Sequence, residues 1–356
     1  MNAVLEVERA DPGSSRTVTE KRLALSHGQV RFGIDSFALT ANNVTYAVAG
    51  DMLGYWDFFP TDDPSWGRVP AMGWGTVVES AHHGIAEGTR YYGWFPMAEE
   101  LVVSANPLPN GLRDDGPHRV DHAPIYRLFS SNDHDTLYQA GDEAEARHAL
   151  LRGLLMTGFL ADGHLALTHA DIAQTIALSA SSKTAIGYAY CAARKGRSVV
   201  GVTSERNAPF VASLDCYTHV ITYDQIDQIP IAASTVVDMA GNGAATAAVH
   251  DHLGDAIGRS LTIGKSHHDA APEPVASGPR PEFFFAPTAA QALIDAGGVD
   301  AHAADSRNAL FGFIEHSRGW LDLDHRAGAG AVESTWGELY AGGIAPNIGL
   351  VASQRT

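Results

Sequence analysis

Residues 175–207, TIALSASSKTAIGYAYCAARKGRSVVGVTSERN, constrain the fold more than any other stretch of the chain. An apolar run at 175–179 has the length and composition of a buried strand. A small polar turn, Ala180-Ser181-Ser182-Lys183-Thr184, follows it. Residues 185–194 then place Ile186, Ala189, Tyr190 and Ala193 at helical spacing, and Lys195-Gly196 closes the helix. A second apolar run begins at once, at 198. Strand, tight turn, helix and strand within about thirty residues make one βαβ unit. Its turn meets a helix N-terminus, where unpaired amides and the helix dipole favour a phosphate.

The glycine pattern of that turn is degenerate. A dinucleotide loop carries G-x-G-x-x-G/A; here only Gly187 stands in place, while Ala180 and Ser181 are merely small. Two readings stand side by side, a nucleotide loop and a plain crossover turn. In the first, Ser181, Ser182, Lys183 and Thr184 supply hydroxyls and a cation. The frame G-x-x-x-x-G-K-[ST] is absent, so this is not a P-loop.

After residue 175 apolar runs alternate with helical stretches. The runs are TIALSA, SVVGVT, HVITY, STVVDMAG, SLTIGKS and EFFFAP. Helices are expected at 207–214, 244–253 and 303–319, a pattern that predicts a parallel sheet wound on both faces. Before residue 111 the texture is short strands broken by Gly and Pro, as in a small barrel. Residues 1–20 read as a frayed polar end, 104–142 as a long polar insertion, and 142–160 as a helix. The tail from 320 holds one helix, 331–341, and a last strand, 348–352. The domains expected are 1–142 with 320–356, and 143–319.

Composition sets outer limits. The 356 residues suffice for two cores. A formal net charge of -17 argues against nucleic acid, whose phosphates need basic patches. Two cysteines, Cys191 and Cys216, exclude a cysteine zinc site and suggest a reducing, cytoplasmic setting. The apolar runs predict no membrane span and no signal peptide.

The order of these parts resembles the medium-chain dehydrogenase/reductase superfamily, its zinc-free quinone-reductase-like branch above all. FALTANN at 37–43 is similar to the family's A-x-x-x-N passage, and VPAMGWGTVV at 69–78 to P-x-x-x-G-H-E-x-x-G-x-V. GTRYYG at 88–93 stands for G-D-R-V-x-G, and AEELVV at 98–103 for A-E-Y-V-V-V. Segments 219–223, 236–241 and 346–351 continue the match. A branch carrying the loop S-A-S-S-K-T-A is also similar. The resemblance implies an α/β chain with a GroES-like β-barrel domain that carries the catalytic groups and a Rossmann doubly wound parallel sheet that binds nucleotide. It implies a nicotinamide cofactor, an enone, quinone or related carbonyl as substrate, and a homodimer joined through the sheet edge; the charge of Arg206 makes NADP(H) the expected cofactor. The family's zinc histidine is replaced by Trp74, its acidic neighbour by Gly75 and its cysteine ligand by Asn43, so no metal is expected.

Individual residues follow. Ser204 and Arg206, with Asn207, end the second strand of the βαβ unit and suit a 2′-phosphate; Glu205 argues the other way, toward NAD. Tyr223 stands on the adenosine side. Asn242, in DMAGNG, is either a nicotinamide-ribose contact or half of a strong Asn-Gly turn. Gly264 and His267 end the fifth strand; His267 is either a proton relay or a solvated histidine. Asn43 and Tyr46 lie on the passage that lines the family's site, and Tyr46 is either a proton donor or a half-buried barrel tyrosine. Tyr55, Trp56, Phe58, Phe59, Trp66, Trp74 and Trp94 crowd the same domain, and a cleft they line favours a flat or apolar substrate. His118 and His122, spaced i,i+4, sit between prolines in a loop. The run 281–287 reads as an exposed edge strand displaying Phe283, Phe284 and Phe285. Two other uses of the fold stay open, a redox-neutral lyase or isomerase with a held cofactor and a non-catalytic NADPH-binding protein.

Overall fold

The computed structural model describes residues 1–169, 171–263 and 275–356. The chain divides into two compact units, Met1–Leu150 with Leu321–Thr356, and Leu151–Trp320.

In the first unit six strands close on themselves: Gln29–Leu39, Pro70–Ser80, Arg90–Pro96, Leu128–Ser131, Gly111–Asp114 and Glu100–Leu108, which pairs back to Gln29–Leu39. Aromatic rings fill the interior. Phe32 stacks on Phe129 at 5.2 Å, and Phe95 meets Phe129 edge-on at 5.2 Å. Gly93 makes room for this packing, since a Cβ there would lie 2.4 Å from Phe129. The returning tail adds Ile348–Ser353, antiparallel to Gln29–Leu39, and Asp322–Ala327 beside it.

Two expectations for this unit fail. The first twenty residues are not frayed: Asn2–Glu8 and Ser15–Glu20 form a hairpin with Val4, Leu5 and Val7 buried. Its polar composition misleads because the charges pair inward. Buried Glu6 accepts from Arg16 at 2.9 Å and from Arg68 at 3.1 Å. Nor is 104–142 one loop, for Glu100–Leu108, Gly111–Asp114 and Leu128–Ser131 are barrel strands. Two of them are only four residues long, and buried Asp114 accepts the amides of Ser104 and Gly116. Such strands carry too few apolar residues to show a period of two.

In the second unit six strands run parallel in the order His219–Thr222, Ser198–Thr203, Gln174–Leu178, Ser234–Asp238, Ile257–Thr262, Glu282–Phe283. The chain starts this sheet in the middle, builds outward one way, then returns to build the other way. Helices Lys183–Ala193, Ala208–Ala212, Gly243–Leu253 and Val299–Ser317 fall close to the expected positions. An additional helix, Ala286–Gly297, was not expected. The edge strand is shorter than its phenylalanines suggested. Phe283 and Phe285 are 72% and 56% exposed, but Phe284 turns inward at 7% and faces His164.

The long helix Asp142–Thr168 extends eight residues past its expected end. By length and composition alone it is apolar enough to cross a membrane, contrary to the sequence expectation. Its second half packs tightly within its own unit. A Cβ on Gly158 would lie 2.5 Å from the Tyr188 amide, and wholly buried Asp162 pairs with Lys195 at 2.9 Å and with Arg197.

Candidate cofactor and substrate sites

All strands of the sheet point their carboxyl ends to one side, and the strand order reverses between Gln174–Leu178 and Ser234–Asp238. Ligands of open α/β sheets bind outside such a reversal. The turn after Leu178 stands there. Ser179 adopts φ +56°, the left-handed region that a glycine would occupy without strain. The turn is closed by the Ser182 amide on the Ser179 carbonyl, 2.8 Å. Ser182 caps the helix, its Oγ accepting the Ala185 amide at 3.2 Å. The helix's other opening amides have no acceptor within the helix. Ser181 Oγ accepts from Asn207 Nδ2 at 3.1 Å, so two residues named from distant motifs meet. Burial pushes the Lys183 amine down to about 8, and Thr184 lies in the same first turn.

Beside this turn, Ser204 begins the short helix Glu205–Asn207, on which Glu205 and Arg206 are exposed. The Tyr223 hydroxyl stands 3.4 Å from Ser179 Oγ. Asn242 caps Gly243–Leu253 through Oδ1, which accepts the Ala245 amide at 3.1 Å. Its loop is tied by buried Asp238, whose carboxylate accepts the amides of Ala240 and Gly241 and the Thr246 hydroxyl. Gly264 and His267 lie outside the described residues. Burial raises both thiols, Cys191 and Cys216, to about 12, which keeps them unreactive.

In the barrel unit the passage 37–43 leaves the strand at Leu39 and enters a helix, Ala41–Val48, which the sequence did not suggest. Asn43 is buried and its amide is engaged at both ends. Oδ1 accepts the Thr40 amide at 2.7 Å, and Nδ2 donates to the Pro70 carbonyl at 2.9 Å. Tyr46, on this helix rather than in the barrel wall, hydrogen-bonds Asn42; its ring lies 4.6 Å from Tyr55 and 5.5 Å from Trp94. Tyr55 hydrogen-bonds Tyr126. Burial raises both phenols, Tyr46 and Tyr55, above the ordinary tyrosine range. Both stay protonated at neutral pH.

Sequence reasoning missed the residue that holds this cluster. Arg119 is wholly buried; it donates to the Phe58 carbonyl at 3.0 Å and to the Tyr126 carbonyl, and lies over the Phe58 ring at 4.4 Å. Asp114 is 3.7 Å away, and burial still lowers the Arg119 guanidinium to about 10. An arginine among His, Asp and Pro carries no local signal of burial. Trp74 is also buried, donating to the Glu145 carbonyl at 3.0 Å. His122 contacts the Gly54 carbonyl at 3.2 Å and packs on Phe58. Among the described residues no three His, Cys, Asp or Glu side chains converge as metal ligands. A cavity of about 240 Å³ lies by the N-terminal hairpin; Arg22, Arg31 and Glu100 line it, together with Phe59 of the aromatic cluster and His118.

The profile of a family described as "Protein of unknown function (DUF2855)" matches residues 37–345. No curated protein sequence matches the chain significantly. Among solved structures, CurA from Vibrio vulnificus is similar, with TM-score 0.65 and 12% identity over 100% of this chain and 99% of that one. Its complex with NADPH aligns with TM-score 0.64 and 12% identity over 99% of each chain. A quinone oxidoreductase from Pseudomonas syringae aligns with TM-score 0.60 and 12% identity over 99% of this chain and 100% of that one. The fold of those proteins, a closed barrel with a parallel α/β sheet, is the fold of this chain.

Proposed function

We propose a reaction for this chain, which belongs to the DUF2855 family: it is a metal-independent, NADPH-dependent reductase of an enone, quinone or related carbonyl compound. The observation that carries the reading is the meeting of Ser179, Ser181, Asn207 and Tyr223 at the strand-order reversal. Neighbours of the same fold include an NADPH complex and a quinone oxidoreductase.

NADPH, when bound, supplies the hydride. The turn 180–184 suits its pyrophosphate, with the Lys183 ammonium as counter-charge. Ser204 and Arg206 suit the 2′-phosphate, Tyr223 the adenosine side and Asn242 the nicotinamide ribose. In the barrel unit Tyr46 is the proton donor of this reading, and Asn42 orients its hydroxyl. Asn43 positions Tyr46 by holding the helix to Pro70. Tyr55, Tyr126 and Trp94 offer a flat carbonyl compound an aromatic wall.

In this reading the unit Leu151–Trp320 is the cofactor domain and Met1–Leu150 with Leu321–Thr356 the catalytic one, and the chain works as a cytoplasmic homodimer. The dimer would form through the exposed Phe283 and Phe285, not through Phe284. NADPH fluorescence should change on mixing with the protein, and NADH should bind more weakly. Equal affinities would remove the argument from Arg206. Consumption of NADPH on 1,4-benzoquinone or an alkenal would support the reductase. Turnover without NADPH loss would favour the redox-neutral alternative, and no turnover across such a panel a binding protein.

A further inference from the structure

The turn after Leu178 presents a problem of its own. It places a serine at φ +56°, with no glycine between 175 and 186 to relieve the strain. A non-glycine residue persists there only where its surroundings over-determine it. Those surroundings are visible. The Ala180 peptide is held on both sides: its amide donates to the Val202 carbonyl at 3.0 Å, and its carbonyl accepts from the Tyr217 hydroxyl at 2.7 Å. The Tyr217 ring lies on Gly201, where a Cβ would come within 2.7 Å of Tyr217 Cδ1 and 3.0 Å of Ala180 Cβ. Gly201 therefore leaves the space that Tyr217 fills, and Tyr217 reaches the turn from beneath. Burial raises its phenol well above the ordinary tyrosine range, so the hydroxyl stays a donor.

We infer that Tyr217 is a positioning residue for the cofactor: it locks the Ala180 peptide, and with it the turn 180–184, in the shape that receives the pyrophosphate. The inference rests on the reductase reading above. External braces here take over what glycines do in the usual fingerprint. A flexible glycine loop is shaped by its ligand, whereas this one is shaped before the ligand arrives, and less ordering is left for binding.

Tyr217→Phe removes the hydroxyl and keeps the ring on Gly201. Calorimetry of the whole protein with NADPH and with 2′-AMP, which has the 2′-phosphate but no pyrophosphate, tests the idea. The expected result is NADPH bound about tenfold more weakly, with 2′-AMP unchanged within about twofold. Equal NADPH affinity in the variant, or equal losses for both ligands, overturns the inference. If the wild-type chain binds neither ligand, the cofactor reading falls and takes this inference with it. Ser179→Gly keeps the test open should Tyr217→Phe not fold. It relieves the positive φ and slackens the turn, so NADPH should bind about threefold more weakly while the thermal midpoint holds or rises. Unchanged or tighter binding in that variant also overturns the inference.

Discussion

The cofactor turn and the aromatic cluster around Tyr46 are built in opposite ways. The turn's anchors come from one stretch of sheet: Ser179, Asn207, Tyr217 and Tyr223 lie within 45 residues of one another, joined by short connections between adjacent parallel strands. The cluster joins Tyr46 and Tyr55 near the first helix to Trp94 in a strand, and to Arg119 and Tyr126 in a late barrel segment. The first depends on local hydrogen bonds and strain. The second depends on one buried cation that ties distant backbone together. Local order survives the loss of one contact better than a clamp does, and the two sites should respond differently to mutation.

The largest effect is expected at the clamp. Arg119→Met would leave the carbonyls of Phe58 and Tyr126 without their donor and Asp114 without its neighbour. Denaturant unfolding should show a loss of about 3–5 kcal/mol. A loss below about 1 kcal/mol would mean that the cluster does not depend on Arg119. Next in size is Tyr46→Phe, for which kcat on a quinone should fall about a hundredfold with KM little changed. An unchanged kcat would assign the proton to another group.

On the sheet side the effects are smaller. Burial already lowers Lys183 to about 8, so its positive charge is largely present at pH 7 and largely lost at pH 9. Because a phosphate prefers the protonated form, NADPH affinity should weaken about tenfold across that interval. A flat profile would exclude Lys183 from phosphate binding. Smaller again is Ser182→Ala, which removes a helix cap and should cost about 1 kcal/mol of stability. The association surface offers a separate check. Phe283→Asp with Phe285→Asp should convert a dimer to a particle near 37.8 kDa by light scattering. A wild-type chain already of that mass would contradict the dimer.

The contrast also explains what could be read from sequence. The parallel sheet was legible because its strands are buried on both faces and read as apolar runs; the helix stop at Gly196 and the caps lie beside them. Ser181 and Asn207 were named from separate motifs, and the sheet register brings them together. Tyr217 was missed because only the empty face of Gly201 reveals where its ring goes. In the barrel unit the signals were weak wherever polar groups pair inward, as with Glu6 and the arginines around it. The four-residue strands at 111–114 and 128–131 are too short to declare a period, and Arg119 reads as a solvated charge until its carbonyl partners are seen.

The central claim is that the turn 180–184 and the groups Ser204, Arg206 and Tyr223 make a site for NADPH. Titration of the full chain against NADPH and NADH, followed by the cofactor's own fluorescence at pH 7, tests it most directly. The account predicts saturable binding of both, with NADPH at least about tenfold tighter and that preference lost in Arg206→Ala. No change in fluorescence with either nucleotide, or a preference for NADH, would contradict it.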